Sequence, residues 1–343
     1  MAPDSFATAR TESAAPKTPV ETLHSASFGN IVARCLHAVA DFGVADALGE
    51  TSRSSEELAT AVGVDSGALG RMLRLLSAHG VFEQEGGRYR HSPASRLLRS
   101  DHPQSQRAFV RMNGLPIFWT CYTYLHHSLR TGLPAAPKVV PEGFWKYFAE
   151  NPEEAHLFDQ AMTSKAQGQI SNVVKSYDFS SFGVIADIGG GRGHLIEAVL
   201  AANPKAKGVL FDLPHVVEKA ADAASDRLRL QPGSFFTDDL PVCDAYILMD
   251  IIHDWNDEDS AKILKNLRRA ARPGAKLLLI EAIIPDDSNP GFAKIVDVHM
   301  LVLLGGRQRT QREHAEFLAK ADFRLQREIE VGGDFSILEA VAV

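Results

Sequence analysis

The fold of this chain is decided by the stretch VIADIGGGRG at residues 184–193 and by FDLP at residues 211–214. A short apolar run leads into a glycine loop, the loop opens onto an amphipathic helical pattern over 194–202, and a second apolar run ends in Asp212. This order predicts a βαβ unit, in which ligand-facing backbone lies at the carboxyl end of the first strand. An acid at the end of the second strand can accept hydrogen bonds from ribose hydroxyls.

The spacing of the glycines distinguishes between nucleoside cofactors. A dinucleotide site needs Gly-x-Gly-x-x-Gly to seat a pyrophosphate on the helix N-terminus, but the sixth position counted from Gly189 is His194. The order here is Asp187, Gly189, Gly191 and Gly193, an acid with alternating glycines that is typical of S-adenosylmethionine (SAM) sites, where the acid can help to hold an ammonium group. We therefore predict SAM as the cofactor. This reading is favoured over a nicotinamide-dependent oxidoreductase and over a glycine turn that serves only packing.

Composition and charge exclude several classes of protein. The 343 residues carry a formal net charge of −7, which argues against a general affinity for nucleic acid or anionic membranes. The cysteines Cys35, Cys121 and Cys243 lie far apart, as in a reduced intracellular protein without a disulfide framework or a zinc site. The sequence has no basic start followed by an apolar run, and no apolar stretch approaches ~18 residues. We therefore predict neither a signal peptide nor a membrane span, and a cytoplasmic location.

The first hundred residues follow the outline of a winged helix. Residues 1–18 are rich in Ala, Ser, Thr and Pro without periodicity, which predicts a disordered tail. One amphipathic helix is predicted over 27–48, a capping box at Ser54 starts another helix, and Asp65 or Ser66 starts the next. A small hairpin is predicted over 80–90.

A winged helix can bind DNA, so the charge of this segment decides between two functions. Residues 20–110 hold nine arginines and no lysine against ten acidic residues. Since phosphate neutralisation supplies most non-specific affinity for DNA, this near-neutral balance favours dimerisation over a DNA-binding regulator. We predict a tail over 1–18, a winged-helix-like dimerisation domain over 19–105 and a cofactor-binding domain over 106–343.

The cofactor-binding domain begins with a mostly helical segment over 106–175, where a substrate pocket would be built. Its residues Trp119, Phe158 and Met162 are as well suited to line that pocket as to fill a core.

The α/β rhythm continues after the βαβ unit. Further strands are predicted at 245–249 and 276–281, and the chain closes with a helix and two strands, the last over 335–341. A terminal hairpin of this kind inserts an antiparallel strand into the sheet, which argues against a dehydrogenase.

A candidate general base follows the strand at 245–249. His253 lies where ligands bind in open α/β sheets, at the carboxyl end of a strand. A histidine near its ordinary pKa of about 6.5 is a suitable base at neutral pH. Glu281, at the end of the neighbouring strand, can accept the Nδ1 hydrogen and so fix the tautomer. The alternative is that His253 only caps the following helix.

Five separated motifs carry a family resemblance: GGGRGH at 189–194, FDLPHV at 211–216, IHDW at 252–255, IE at 280–281 and LGGRQRT at 304–310. Together they resemble the plant-type and bacterial small-molecule O-methyltransferases, which include caffeic acid, hydroxyindole and antibiotic-tailoring enzymes. The resemblance covers about residue 25 to the C-terminus. It implies an α/β fold, with a Rossmann-like seven-stranded SAM domain behind a winged-helix dimerisation domain. It also implies a homodimer, a phenolic or similar hydroxyl substrate, and methyl transfer by a histidine base without a metal.

The resemblance also assigns roles to single residues. It implies cofactor contacts for Gly189 and Asp212, the base for His253, one of two flanking acids for Glu281, and substrate-wall positions for Met162 and Met300.

Three departures from the family pattern bear on the chemistry. Ser234 and Phe235 stand where the family often has Asp and an apolar residue around the adenine, and Met249 replaces a frequent Lys or Arg. Gln308 replaces the usual second acid near the base. The loss of that acid leaves open an alternative, a SAM-binding relative that catalyses hydroxylation or decarboxylation instead of methyl transfer.

Overall fold

The computed structural model describes residues 18–332 and 335–343, and these divide into two compact units. The N-terminal unit ends at Ser100 and the C-terminal unit runs from Asp101 to Val343. The predicted disordered tail lies outside the described residues except for Thr18, whose side chain caps the first helix.

The N-terminal unit is built from six helices and a three-stranded antiparallel sheet in the order β1-β3-β2 within residues 18–100. Its elements are α1 (Pro19–Ser27), α2 (Gly29–Asp41), α3 (Val44–Leu48), β1 (Arg53–Ser54), α4 (Ser55–Val62), α5 (Ser66–Ala78), β2 (Phe82–Glu85), β3 (Arg88–His91) and α6 (Pro93–Arg96). The predicted capping box is present, because the Ser54 side chain accepts from the backbone N–H of Glu57. Of the two predicted starts of α5, Ser66 is its first residue and Asp65 is its N-cap, with a side chain that accepts from the backbone N–H of Ala68.

The single helix predicted over 27–48 is wrong. Helix α2 ends at Asp41, and α3 begins only at Val44. Between them Gly43 adopts a φ of 67°, the left-handed conformation that stops a helix and that glycine adopts without steric cost. Helix α1, whose capping box pairs Thr18 with Glu21, was not predicted.

The C-terminal unit first forms a helical segment. It contains α7 (Arg107–Asn113), α8 (Pro116–Tyr122), α9 (Leu125–Thr131), a short 3₁₀ turn (Ala136–Lys138), α10 (Phe144–Glu150) and α11 (Pro152–Ser176). A buried aromatic cluster joins these helices, with Phe118, Phe144 and Phe148 among its members.

A seven-stranded sheet follows, in the order β6-β5-β4-β7-β8-β10-β9. Its strands are β4 (Val184–Ile188), β5 (Lys207–Asp212), β6 (Leu228–Pro232), β7 (Ala245–Met249), β8 (Lys276–Ala282), β9 (Phe323–Gly332) and β10 (Phe335–Ala342). The helices between and after them are α12 (His194–Ala202), α13 (Pro214–Lys219), α14 (Asp257–Ala270), α15 (Phe292–Leu303) and α16 (Gln311–Ala319). Only β10 runs antiparallel to β8, so the predicted fold class and the inserted terminal strand are confirmed.

Both faces of the sheet are covered, which explains why the central strands are apolar throughout. One face packs on Ile263 of α14 and Leu318 of α16, and the other packs on Val173 of α11 and Ile196 of α12. Ligands can therefore approach only at an edge. The carboxyl ends of β4, β5, β7 and β8 meet at one edge, where the predicted site residues lie.

No helix within the described residues is both long enough and apolar enough to cross a membrane.

Candidate active site

The glycine loop after β4 is shaped by the side chains around it. A Cβ on Gly189 would stand 2.6 Å from Cδ1 of Ile251, and a Cβ on Gly190 would stand 2.5 Å from Cγ of Asp187. A Cβ on Gly191 would meet nothing within 4 Å, although its φ of 60° disfavours any side chain. The loop therefore packs against the protein on one side and leaves backbone accessible on the other.

Two acids, Asp187 and Asp212, lie against this loop. Asp187 is 2% exposed, and its Oδ2 has no hydrogen-bond partner among the described residues. Burial, with repulsion from Asp212, raises the pKa of Asp187 to about 7. Asp212 accepts hydrogen bonds from the backbone N–H of Gly191 at 2.8 Å and of Leu213 at 2.6 Å. Burial raises the pKa of Asp212 as well.

The residues present fit a SAM molecule at this edge. The orphaned carboxylate oxygen of Asp187 and the carboxylate of Asp212 provide acceptors beside accessible glycine backbone. Because the pKa of Asp187 is about 7, that carboxyl is only partly ionised at neutral pH. A cationic ammonium nearby would favour its ionised form.

Ser234 and Phe235 lie on the loop after β6, and their side chains make different contacts. The Ser234 hydroxyl accepts from the backbone N–H of Phe236 at 3.3 Å, within its own turn. The Phe235 ring lies 3.6 Å from the position of a Cβ on Gly189 and packs edge-on against Trp255. The structure therefore brings Phe235 near the glycine loop, and the partly buried Met249 is the last residue of β7, the strand that pairs with β4. The Ser234 side chain is used to shape the turn.

His253 is held by a buried acid. It lies on a 3₁₀ turn, Ile252–Asp254, just after β7, and its Nδ1 is 2.6 Å from Oε2 of Glu281. The other oxygen of Glu281 accepts from the backbone N–H of Ile252 at 2.8 Å. Glu281 is fully buried, so it fixes both the turn and the ring, and the contact predicted from the strand ends is present.

The protonation of His253 differs from the sequence expectation. Its Nε2 lies 3.2 Å from Oδ1 of Asp254, so each ring nitrogen faces a carboxylate. Burial lowers the pKa of the imidazole, but the charges of Glu281 and Asp254 outweigh burial and raise it well above 6.5. The expectation of a pKa near the ordinary value is therefore wrong. Both carboxylates favour the charged form of the ring.

The segment 304–310 packs directly on the turn of His253. A Cβ on Gly306 would collide with the His253 carbonyl oxygen and stand 2.5 Å from the carbonyl carbon of Asp254. Arg309, 2% exposed, donates to the Ile252 carbonyl at 3.4 Å and to Asp257 Oδ1 at 2.6 Å. This clamp was not predicted, because it depends on packing between residues more than 50 positions apart in the sequence.

Gln308 itself is buried and incompletely satisfied. Its backbone N–H donates to Oδ1 of Asp297 at 2.9 Å, whereas its side-chain Oε1 has no hydrogen-bond partner among the described residues.

Two further polar pairs lie near the base, and neither was predicted. Lys165 Nζ is 2.9 Å from Oδ2 of Asp250, and the Tyr122 hydroxyl is 2.6 Å from Nδ1 of His299. Burial, with the positive charges of Lys165 and His253, lowers the pKa of His299 to about 4, so this ring is neutral. The partners within each pair are 85 and 177 positions apart, and no local spacing signals them.

Ligand atoms of Asp250, His253 and Glu281 lie within 4.8 Å of one another, a spacing that could attract a cation. In this structure the positive charge of Lys165 lies 2.9 Å from Oδ2 of Asp250 and already pairs with that carboxylate. We therefore assign no metal ion to these groups.

The four predicted substrate residues all belong to the C-terminal unit. Phe158 and Met162 on α11 are partly buried against the aromatic cluster, with the Phe158 ring 4.9 Å from that of Phe148. Met300 on α15 is 8% exposed, and Trp119 on α8 donates its Nε1 hydrogen to the Asn113 carbonyl at 3.0 Å.

Comparison with known protein families matches both parts of the chain. The family model of an O-methyltransferase domain matches residues 122–324, and that of an O-methyltransferase dimerisation domain matches residues 25–101.

Individual relatives match over nearly the whole chain. A phenazine O-methyltransferase of Lysobacter antibioticus is 37% identical over 318 residues, 91% of this chain and 93% of the relative. The O-demethylpuromycin-O-methyltransferase of Streptomyces alboniger is also 37% identical, over 92% of this chain and 87% of the relative. Among solved structures, a methyltransferase of calicheamicin biosynthesis in its SAH-bound form superposes with a TM-score of 0.87 at 32% identity, covering 96% of this chain and 100% of the other.

Proposed function

The chain belongs to the O-methyltransferase family and is a SAM-dependent O-methyltransferase, and we propose that its acceptor is a phenolic hydroxyl of a small aromatic or polyketide-like metabolite, with His253 as the general base. The observation that carries the proposal is the pairing of His253 with the buried Glu281 at the carboxyl end of β7. Small aromatic or antibiotic acceptors are indicated by the names of the relatives.

The proposed base can act only when its Nε2 carries no proton and is no longer in contact with Asp254. Its Nε2 faces Asp254, so the acceptor hydroxyl has to take the place of that carboxylate, and the ring has to be neutral. The hydroxyl proton then moves to Nε2 as the oxygen gains the methyl group. The new positive charge is stabilised by Glu281 at Nδ1. When bound, SAM supplies the methyl group and leaves as S-adenosylhomocysteine.

Much of the rate is expected to come from alignment. Displacement at a methyl carbon requires the attacking oxygen, the carbon and the sulfur in line, and fixed groups supply that geometry at no further entropic cost. The clamp of Gly306 and Arg309 on the turn of His253 fixes the base for this purpose.

We assign the cofactor to the edge formed by β4, β5 and β7. Gly189 and Gly191 offer backbone, Asp212 accepts from the ribose hydroxyls, and Asp187 supports the loop near the ammonium group. Phe235, Met249 and Ser234 are assigned to the adenine side, with Ser234 acting through its turn.

We assign the acceptor to the helical segment before the sheet. Trp119, Phe158, Met162 and Met300 form its proposed wall, and the neighbouring aromatic cluster suits a planar ring. The neutral pair of Tyr122 and His299 adds a polar group without charge.

We also propose a homodimer formed through residues 19–105, and a cytoplasmic enzyme. Helices α1 and α2 expose a set of large apolar side chains, a pattern that marks interfaces. These are Val20, Leu23, Phe28, Ile31 and Phe42, exposed by 46–71%. Three free cysteines suit a reducing compartment.

Labelled methyl transfer tests this function. The native protein with SAM carrying a labelled methyl group should label at least one member of a panel of phenolic acceptors. His253→Ala should retain SAM affinity by calorimetry and lose about 10²–10⁴ of turnover, the usual contribution of a general base. His79→Ala, which changes an exposed histidine of the N-terminal unit, is the matched control and should keep full turnover.

Two results would count against the proposal. Retention of most turnover by the His253 variant at saturating acceptor would remove His253 from the mechanism. SAM binding without any label on phenols would favour the alternative of a family member with other chemistry.

A further inference from the structure

A second carboxylate lies beside the Nδ1 side of His253. Oδ1 of Asp250 is 3.5 Å from Nδ1 of His253, too long for a strong hydrogen bond but close enough for strong electrostatic attraction. This oxygen is buried and has no hydrogen-bond partner among the described residues. The other oxygen of Asp250 pairs with Lys165 Nζ at 2.9 Å. Buried polar atoms almost always have a hydrogen-bond partner, so an unsatisfied oxygen beside an imidazole indicates a function.

The backbone of Asp250 is unusual. Its φ is 55°, and across residues 18–332 and 335–343 only Asp322 shares a positive φ among non-glycine residues. The conformation costs free energy, although Asp and Asn tolerate it better than other side chains. The N–H of Asp250 still donates to the Ile280 carbonyl at 2.9 Å, so the strand pairing continues to the turn. Backbone strain of this kind is concentrated at functional sites.

We propose that Asp250 is a positioning residue for the base, which stabilises the imidazolium of His253 through space while Lys165 holds its carboxylate in place. The proposal rests on the proposed function, because it takes His253 as the base. It adds a charge to the site that neither Glu281 nor Asp254 supplies.

Lys165 is well placed for this holding role. Its side chain is 19% exposed and that of Asp250 is 17% exposed, so the ion pair is partly shielded from solvent. Its Nζ also lies 5.7 Å from the centroid of the Phe335 ring. Lys165 follows Met162 by three residues on α11 and so lies on the same helix face. The pair therefore links the proposed acceptor wall to the base.

The charges around His253 determine the sign of the effect. The groups that face it are Glu281 from β8, Asp250 and Asp254 from its own turn, Lys165 from α11, His299 from α15, and Arg309 and His314 from the segment 309–319. Burial lowers the pKa of His299 to about 4 and that of His314 to about 3, so both stay neutral above pH 5. Removal of the Asp250 charge therefore leaves the imidazolium less stable.

Asp250→Asn tests the proposal with the least change in shape, because Asn also tolerates a positive φ. In the apo protein, labelled histidine followed by NMR should show the pKa of His253 falling by about 1 unit, the effect of losing one close carboxylate. The rising limb of kcat/KM should move to lower pH by the same amount, with unchanged SAM affinity. Asp226→Asn, which neutralises an exposed aspartate in the turn before β6, is the matched control and should shift neither.

A double-mutant comparison tests the part assigned to Lys165. If Lys165 holds the carboxylate, Asp250→Asn should shift the pKa of His253 less in a Lys165→Met background than in the native one. Equal shifts in both backgrounds would overturn the holding role. An unchanged pKa in Asp250→Asn would overturn the whole proposal.

The titration separates this proposal from the proposed function. If the native protein labels no phenol but the pKa of His253 falls in Asp250→Asn, the charge interaction is supported and the acceptor class is refuted. If the native protein labels phenols and the pKa of His253 is unchanged in Asp250→Asn, the proposed function is supported and the further inference is refuted.

Discussion

Gly306 is the position where the smallest change should disturb the base most. A Cβ there would overlap the His253 carbonyl oxygen and stand 2.5 Å from the Asp254 carbonyl carbon. Carbon atoms touch without strain at about 3.5 Å, so the loop or the turn has to move by about 1 Å. The clamp through Arg309, which binds the Ile252 carbonyl and Asp257, resists movement of the loop. The turn of His253 should therefore take up part of the displacement.

Gly306→Ala should lower turnover by about 10²-fold, since a misplacement of 1 Å at a reacting group has an effect of that size. The free energy of unfolding should fall by about 1–3 kcal/mol, as for other overpacked sites. Labelled methyl transfer at saturating SAM and acceptor measures the first effect, and denaturant unfolding measures the second. SAM affinity should change little, because the three atoms nearest to a Cβ on Gly306 belong to His253 and Asp254 and not to the glycine loop after β4.

Gly168→Ala is the matched control for the same substitution. Gly168 lies inside α11, and a Cβ there would meet nothing within 4 Å. Alanine should stabilise that helix by about 0.5–1 kcal/mol and leave turnover unchanged. Full activity and full stability in Gly306→Ala would refute the reasoning, because they would mean that the loop does not press on the turn of His253.

Three further predictions concern single charges in the site. Asp212→Ala should weaken SAM binding by about 1–3 kcal/mol in calorimetry, because ribose hydroxyls lose their acceptor; an unchanged affinity would contradict its assignment. Asp254→Asn should lower the raised pKa of His253 and move the rising limb of kcat/KM to lower pH, since the base is then neutral at lower pH. Gln308→Glu should shift that limb to higher pH and increase turnover where the base is deprotonated. A pH profile that stays the same would show that residue 308 is not near the base.

The order of the strands and the residues at their ends could be predicted from the sequence because the signals are local. The glycine loop, the acid at the end of β5 and the strand before His253 are each encoded within about ten residues, and parallel strands bring their carboxyl ends together at one edge. The contact of His253 with Glu281 follows from that rule, because β7 and β8 are neighbours in the sheet. Topology alone could therefore place these two side chains together.

The remaining features depend on tertiary packing that no short pattern encodes. The ion pair of Lys165 with Asp250 joins a helix before the sheet to a turn within it, 85 residues later. The break between α2 and α3 at Gly43 was missed because a single glycine within an amphipathic pattern is compatible with a continuous helix. The raised pKa of His253 was not predicted because it depends in part on the 3.2 Å contact with Asp254, whose orientation the sequence does not fix.

The two carboxylates on His253 differ in their freedom to move, and this difference determines which one yields to an acceptor. The Glu281 side chain is fully buried and is also bound to the Ile252 backbone, whereas the Asp254 side chain is 36% exposed. Partly exposed ion pairs contribute little free energy, so Asp254 can turn to water at small cost, while moving Glu281 would leave a buried charge unpaired. The ring therefore keeps its orientation through Nδ1 and frees only Nε2. Acceptor binding at Nε2 removes the neighbour that raises the pKa on that side, so arrival of the substrate itself favours the neutral form of the base.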